Sequence, residues 1–159
     1  MEKMEQIGKA VLDYRFYPED DKYTDGAIED EMLEIARNCA PEQYERVIVE
    51  KKSWPILYHF SYLRENIIRW LPMNGSENVL EIGAGPGAIT GALCEKARQV
   101  TVIDLSKKRC LINAYRHKDC DNLHFLVGNF QDIEPKLTEQ YDLITLIGVF
   151  EYAQFSIQS

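Results

Sequence analysis

The rhythm of apolar and polar positions changes near residue 78. Beyond it, apolar runs at Val79–Ile82, Gln99–Leu105, Leu123–Val127 and Tyr141–Ile147 alternate with stretches of helical period at about 87–97 and 106–116. A shorter helical stretch near 130–137 is interrupted by Pro135. Strand and helix in repetition predict parallel strands joined by right-handed crossovers, hence an α/β fold with a doubly wound parallel sheet of which four strands are present.

Upstream the pattern is helical. Met4, Ile7 and Val11 fall on one face of a helix over residues 1–13, before an aromatic cluster and Pro18. The acidic stretch from Pro18 to Gly26 reads as a surface loop with a turn at Asp25-Gly26. Ile28, Met32, Ile35 and Ala36 then recur at helical spacing, with Thr24 or Asp25 as the cap. Tyr44, Val47 and Ile48 line a second helix after Pro41, and Trp54-Pro55 interrupts it, because the residue before proline is pushed out of the α region. A boundary near residue 53 follows, dividing an acidic helical segment, 1–53, from the sheet domain, 54–159. Ser61 caps a further helix within Tyr58–Leu71, whose apolar face, Leu63, Ile67, Trp70 and Leu71, is expected to pack on the sheet.

Composition narrows the class of protein. A chain of 159 residues with 45% hydrophobic content suffices for one ordinary core. The formal charge of -8 comes from residues 1–50, with fourteen acidic and six basic side chains; residues 51–159 balance at twelve of each. That distribution argues for a solvated acidic surface and against a broad nucleic-acid interface, so no nucleic-acid partner is expected. Cys39, Cys94, Cys110 and Cys120 form no CxxC pair and read as free thiols in a reducing compartment. The 18–26 loop lacks the alternate carboxylates of a calcium loop, so no metal is expected. No apolar run has the length of a membrane span and the first residues do not resemble a signal peptide, which predicts a cytoplasmic protein. Lys107, Lys108 and Arg109, with Arg116, His117 and Lys118, are the main basic concentration and read as a solvated helix face.

The chemistry concentrates where the first strand ends. In Asn78-Val79-Leu80-Glu81-Ile82-Gly83-Ala84-Gly85-Pro86-Gly87, an apolar run breaks into glycines at alternate positions before a helix starting near Gly87. Glycine permits positive φ and a close approach of ligand to backbone, and a helix N-terminus favours a polar or anionic group. In a doubly wound sheet the ligand lies at the carboxyl ends of the strands. The second strand ends in Asp104, about 20 residues on, where a carboxylate accepts from both hydroxyls of a ribose. The third ends in Gly128-Asn129-Phe130, an amide for an adenine edge and a ring to stack on it. The fourth ends in Gly148-Val149-Phe150-Glu151-Tyr152, which would close the pocket nearest the reacting end.

Two ligand classes fit a glycine loop with a ribose-binding carboxylate: a dinucleotide and S-adenosylmethionine. Gly83, Gly85 and Ala88 satisfy the dinucleotide fingerprint. Three details favour the second class: the GxGxG spacing preceded by Glu81, the long segment ahead of the loop, and the pairing of Asp104-Leu105 with Asn129, which suits one nucleoside better than an extended pyrophosphate.

Glu81-Ile82-Gly83-Ala84-Gly85-Pro86-Gly87, with Val102-Ile103-Asp104-Leu105 and Tyr141-Asp142-Leu143-Ile144, resembles the Rossmann-like class I S-adenosylmethionine-dependent methyltransferases over roughly residues 58–153. The Tyr58–Leu71 segment and Gly148–Ala153 further resemble bacterial members associated with glycan or polysaccharide genes. The resemblance implies that Gly83, Gly85 and Gly87 border the methionine part of S-adenosylmethionine, that Asp104 binds the ribose, that Asn129 and Phe130 lie by the adenine, and that Ala84 and Leu105 also belong to the cofactor site. It implies that Glu81 meets the amino-acid part, covered by Tyr58 or Arg64, and that Gly148 lies near the reacting end. Glu81 as a brace for the glycine turn and Asn129 as a turn residue remain open alternatives. S-adenosylhomocysteine would be the product and the acceptor a small or glycan-related molecule, with Glu151, Tyr152 or His59 as candidate bases. The family has seven strands and this chain supplies four, so a truncated domain with an exposed, apolar fourth strand is expected, open to homo-oligomer formation. A dinucleotide-dependent oxidoreductase or sugar-nucleotide enzyme, and a non-catalytic assembly module, are the alternatives.

Overall fold

The computed structural model describes residues 3–20 and 26–149. Its centre is a run of parallel strands, β3 (Asn78–Ile82), β4 (Gln99–Asp104), β5 (Leu123–Gly128) and β6 (Leu143–Thr145), with β1 (Met4–Ile7) and β2 (Ala10–Phe16) added at one side. The order across the six-stranded sheet is β1-β2-β5-β4-β3-β6, and only the β1–β2 pair is antiparallel. β3 and β4 are buried along nearly their whole length, because helices lie on both faces of a parallel sheet. Alternate residues serve opposite faces. Val79, Val100, Val102, Leu123, Phe125 and Val127 enter the larger cluster with α5 (Thr90–Lys96), whereas Leu80, Ile82, Ile103 and Leu126 meet Ile133 on the other side.

The sheet has two strands more than the four expected. Residues 4–16 are not a helix but a hairpin, turning at Gly8-Lys9, where Gly8 takes a φ of 60°. The helical reading used Met4, Ile7 and Val11; the residues that are buried, Ala10, Leu12 and Tyr14, recur at period two. On the opposite face Asp13 is fully buried and held by Arg15, whose Nη2 lies 2.6 Å from Oδ2. β2 pairs in parallel with β5, Leu12 beside Phe125. A contact across more than a hundred residues leaves no local trace, which is why a helix looked equally consistent.

The helices between the hairpin and the central strands follow the expected faces in part. α1 (Ala27–Asn38) buries Met32, Ile35 and Ala36 against Tyr44 of α2 (Tyr44–Lys51), Ile56 and Phe60 of α3 (Trp54–Phe60), and Ile112 of α6 (Lys107–Arg116). Glu29, itself buried, accepts from Arg109 Nε at 2.6 Å, and Lys108 meets Asp30 at 2.7 Å, so α1 is tied to α6 by charge as well as packing. The proposed caps Thr24 and Asp25 lie outside the described residues. Pro55 sits in the first turn of α3, where its missing N–H costs nothing.

The single helix expected within Tyr58–Leu71 is broken. α3 ends at Phe60, Ser61 is extended, a 3-10 turn covers Tyr62–Glu65 and α4 is only Asn66–Arg69. The break rotates the following residues, so Ile68 is buried while Leu63, Ile67 and Trp70 face outward. β6, at the edge of the sheet beside β3, is shorter than its apolar run, and Ile144 and Leu146 at that side are exposed.

The hairpin belongs to the core, so Leu12→Ala should cost about 2–5 kcal/mol in urea unfolding, whereas the exposed Met4→Ala should change stability by less than about 0.5 kcal/mol. A loss below about 1 kcal/mol for Leu12→Ala would show that β2 is not an integral strand.

Candidate functional site

The parallel ladder between β3 and β4 runs directly into the glycine loop. Ile82 pairs with Ile103, and the next N–H, on Gly83, donates to the Ile103 carbonyl at 2.8 Å. The chain then turns through Gly83, Gly85 and Gly87, all at positive φ (69°, 55° and 82°). A Cβ on Gly83 would lie 2.6 Å from Val149 Cγ2, and one on Gly87 would lie 2.2 Å from Asn113 Oδ1, so both glycines admit close packing. Gly85 differs: a Cβ there would meet nothing within 4 Å, and its N–H donates to Asp104 Oδ2 at 2.8 Å. The other Asp104 oxygen accepts from the Ser106 N–H at 3.0 Å, and Ser106 Oγ caps α6 by accepting from Arg109 N. A nearly buried carboxylate is thus held at the end of β4, beside the open face of the loop. α5 begins at Thr90, about a turn later than expected, because residues 87–89 remain in the turn.

Behind the loop lies a buried polar chain. Thr90 Oγ1 donates to Glu81 Oε2 at 2.7 Å and accepts from Asn113 Nδ2 at 2.8 Å; Asn113 Oδ1 lies 2.7 Å from His117 Nδ1. Glu81 is 2% exposed, and burial pushes its carboxyl up to about 7, with Asp104 adding to the rise and Thr90 and Arg116 opposing it. Burial and the adjacent Arg116 lower His117 to about 3, which keeps the imidazole neutral. Arg116 Nη1 donates to the carbonyls of Pro86 at 2.7 Å and His59 at 2.9 Å, linking the loop to α3.

Thr90, Asn113, Arg116 and His117 were not singled out as site residues by the sequence. The basic run predicts a solvated face for Arg116 and His117; in the structure Arg116 is 9% exposed and His117 is half-buried. The available signal was spacing, since Cys110, Asn113 and Arg116 recur at every third position of α6 and share a face.

The remaining expected residues occupy distinct environments. Glu81 takes its bond from a threonine hydroxyl rather than from the glycine turn. Asn129 caps α7 (Phe130–Ile133) by accepting from the Gln131 N–H at 3.1 Å, and Phe130 packs against the Leu80–Ile103–Leu126 cluster. Ala84 packs against the larger core, Leu105 follows Asp104, and Gly148 has a φ of 73°. On the α3 side the Arg64 guanidinium stacks 4.0 Å over the Tyr58 ring, and Arg64 Nε is buried without a partner. Tyr58 and His59 also border a groove of about 350 Å³ with Ile28, Met32, Trp54 and Pro55. Phe150, Glu151 and Tyr152 lie outside the described residues.

Two titrations of opposite sign follow from this packing. Glu81 has a folded value near 7, above its ordinary 4.5, so its contribution to stability is full below pH 4.5 and is lost as pH rises through 7. Urea unfolding should show Glu81→Gln gaining about 2.5 kcal/mol relative to wild type between pH 5 and pH 8. His117 has a folded value depressed from 6.5 to about 3, so its contribution is present above pH 6.5 and is lost as pH falls toward 3. Wild type should therefore lose stability relative to His117→Asn over that lower range. A pH-independent difference in either pair would contradict the corresponding burial.

Comparison with known proteins agrees with this geometry. Residues 80–158 match the family model described as a methyltransferase domain. The chain is 30% identical over 112 residues to a protein-L-isoaspartate O-methyltransferase of Dictyoglomus turgidum, covering 63% of this chain and 49% of that protein. It is 37% identical over 62 residues to ribosomal RNA small subunit methyltransferase A of Lachnoclostridium phytofermentans, covering 39% of this chain and 21% of that one. The chain therefore spans half or less of the length of these curated relatives. Among solved structures, precorrin 8w decarboxylase of Methanobacterium thermoautotrophicum aligns with a TM-score of 0.51 at 19% identity, over 58% of this chain and 50% of that chain, a likeness of fold. With its motif at the end of β3, its acid at the end of β4 and the matching domain model, this chain belongs to the S-adenosylmethionine-dependent methyltransferases.

Proposed function

We propose that the β3–α5 loop and the end of β4 hold S-adenosylmethionine, and that this cofactor-binding part serves the transfer of its methyl group to an acceptor. The observation that carries this reading is the pairing of an open loop at Gly85 with the Asp104 carboxylate, bonded through the Gly85 N–H. In this assignment Asp104 accepts from the ribose hydroxyls, and Gly83, Ala84, Gly85 and Gly87 border the methionine part. Leu105, Asn129 and Phe130 border the adenine, and Gly148 the reacting end. Glu81 meets the amino-acid part directly or through water, under a cover formed by the stacked Tyr58 and Arg64.

S-adenosylmethionine supplies a methyl group already made electrophilic by its sulfonium. The protein's task is then to align an acceptor for in-line displacement and to exclude water. Gly85 suits alignment, because its positive φ and the open space where a Cβ would lie let the backbone approach the ligand without a side chain between. A pair of rigid planes, Arg64 on Tyr58, suits exclusion of water. One relative is named for ribosomal RNA and another for L-isoaspartyl protein, so RNA and protein acceptors belong beside small and glycan-related molecules in any screen.

Calorimetric titration should show S-adenosylhomocysteine binding and no comparable NAD binding. Asp104→Ala should weaken S-adenosylhomocysteine at least about tenfold with the circular dichroism spectrum unchanged, because hydrogen bonds to a carboxylate contribute about 1.5–3 kcal/mol each. Tight NAD binding without nucleoside binding would replace this reading with a dinucleotide enzyme.

A further inference from the structure

Arg116 is an expensive residue in its place. Its side chain is packed between α6, α2, α3 and the glycine loop, with its guanidinium carbon 4.4 Å from the Phe60 ring centre and 5.6 Å from that of Tyr44. Among the described residues no carboxylate lies within ion-pair distance of it, and its Nε is buried without a hydrogen-bond partner. Burial accordingly drags its pKa down to about 10. An apolar side chain of similar length would avoid these costs, since replacing buried charge by packed hydrocarbon is often neutral or stabilising. What an apolar side chain would lack is the cation–π contact with the two rings and the pair of hydrogen bonds from Nη1 to Pro86 and His59, and of these only the hydrogen bonds reach the glycine loop.

Those two carbonyls belong to the parts that must meet around the ligand. Pro86 lies between Gly85 and Gly87, at the turn of the glycine loop. His59 adjoins Tyr58, whose ring stands edge-on to the imidazole at 4.9 Å and carries the Arg64 guanidinium on its face. One nitrogen therefore fixes the distance between the loop and the α3 cover. The Asp104 carboxylate, by contrast, accepts from the N–H groups of Gly85 and Ser106, while the two carbonyls that Arg116 joins are those of Pro86 and His59.

Resting on the cofactor reading above, we propose that Arg116 is a positioning residue for the amino-acid end of the cofactor, joining Pro86 to His59 so that loop and cover close to the right spacing. It touches neither the ribose carboxylate nor the adenine side. Its loss should consequently be felt by a ligand that carries the amino-acid tail and not by one that ends at the ribose.

The test compares S-adenosylhomocysteine with adenosine by calorimetry, using competition where adenosine is weak. Arg116→Met should weaken S-adenosylhomocysteine about tenfold, a loss of about 1.4 kcal/mol, and leave adenosine within about twofold. Arg116→Lys keeps a cation able to donate to both carbonyls, so it should restore S-adenosylhomocysteine affinity to within about threefold of wild type. Equal weakening of both ligands, or no change in either, would reduce Arg116 to a packing residue and overturn the proposal. If Arg116→Met does not fold, Arg116→Gln, shorter and uncharged and so unable to bridge both carbonyls, takes its place: a fall of about fivefold or more in the ratio of S-adenosylhomocysteine to adenosine affinity supports the proposal, and an unchanged ratio overturns it. Failure of wild type to bind S-adenosylhomocysteine would remove the cofactor reading and this inference together. Binding by wild type with an unchanged ratio in Arg116→Met or Arg116→Gln removes only the inference.

Discussion

The site depends on the register of β3 against β4. With Ile82 opposite Ile103, the last ladder bond is made by Gly83, so the glycine loop begins where the pairing ends. The residue after Ile103 is Asp104, whose carboxylate is thereby delivered to the Gly85 N–H. A slip of one residue would turn each side chain to the opposite face and send that carboxylate into the apolar layer. Burial of Val100, Val102 and Ile103 on the two faces of β4 prevents such a slip, so the hydrophobic core sets the geometry of a polar site.

A second constraint acts from behind. Gly87 lets α6 approach until Asn113 occupies the space of a side chain, and that approach completes the chain from Glu81 through Thr90 and Asn113 to His117. The groups have nearly matched donors and acceptors, which offsets the cost of burying them. The same close packing raises the Glu81 carboxyl to about 7 and depresses the His117 imidazole to about 3, leaving the loop backed by an acid that titrates near neutral pH and an imidazole that is neutral there.

Much of this arrangement was legible in the chain. The apolar runs located β3, β4 and β5 to within a residue or so, because strands buried on both faces need little else. The glycines and Asp104 were legible because backbone conformation and ligand approach restrict residue choice locally. The faces of α1 were legible for the same periodic reason. The hairpin at 4–16 was not, since its burial comes from β5, distant in sequence; nor was the outward turn of Leu63, Ile67 and Trp70, which a single extended residue at Ser61 produces.

By itself, then, the sequence determined the alternation of strands and helices, the tight loop after β3 and the acid after β4, all consequences of short-range period and of what glycine alone permits. Tertiary structure decided which strands flank the central four, which side chains of α6 face inward, and that Arg116, charged and near a helix end, would be buried between Pro86 and His59. The physical reason is the same in each case: a residue's environment is set by surfaces brought from elsewhere in the chain, and no local pattern encodes the partner.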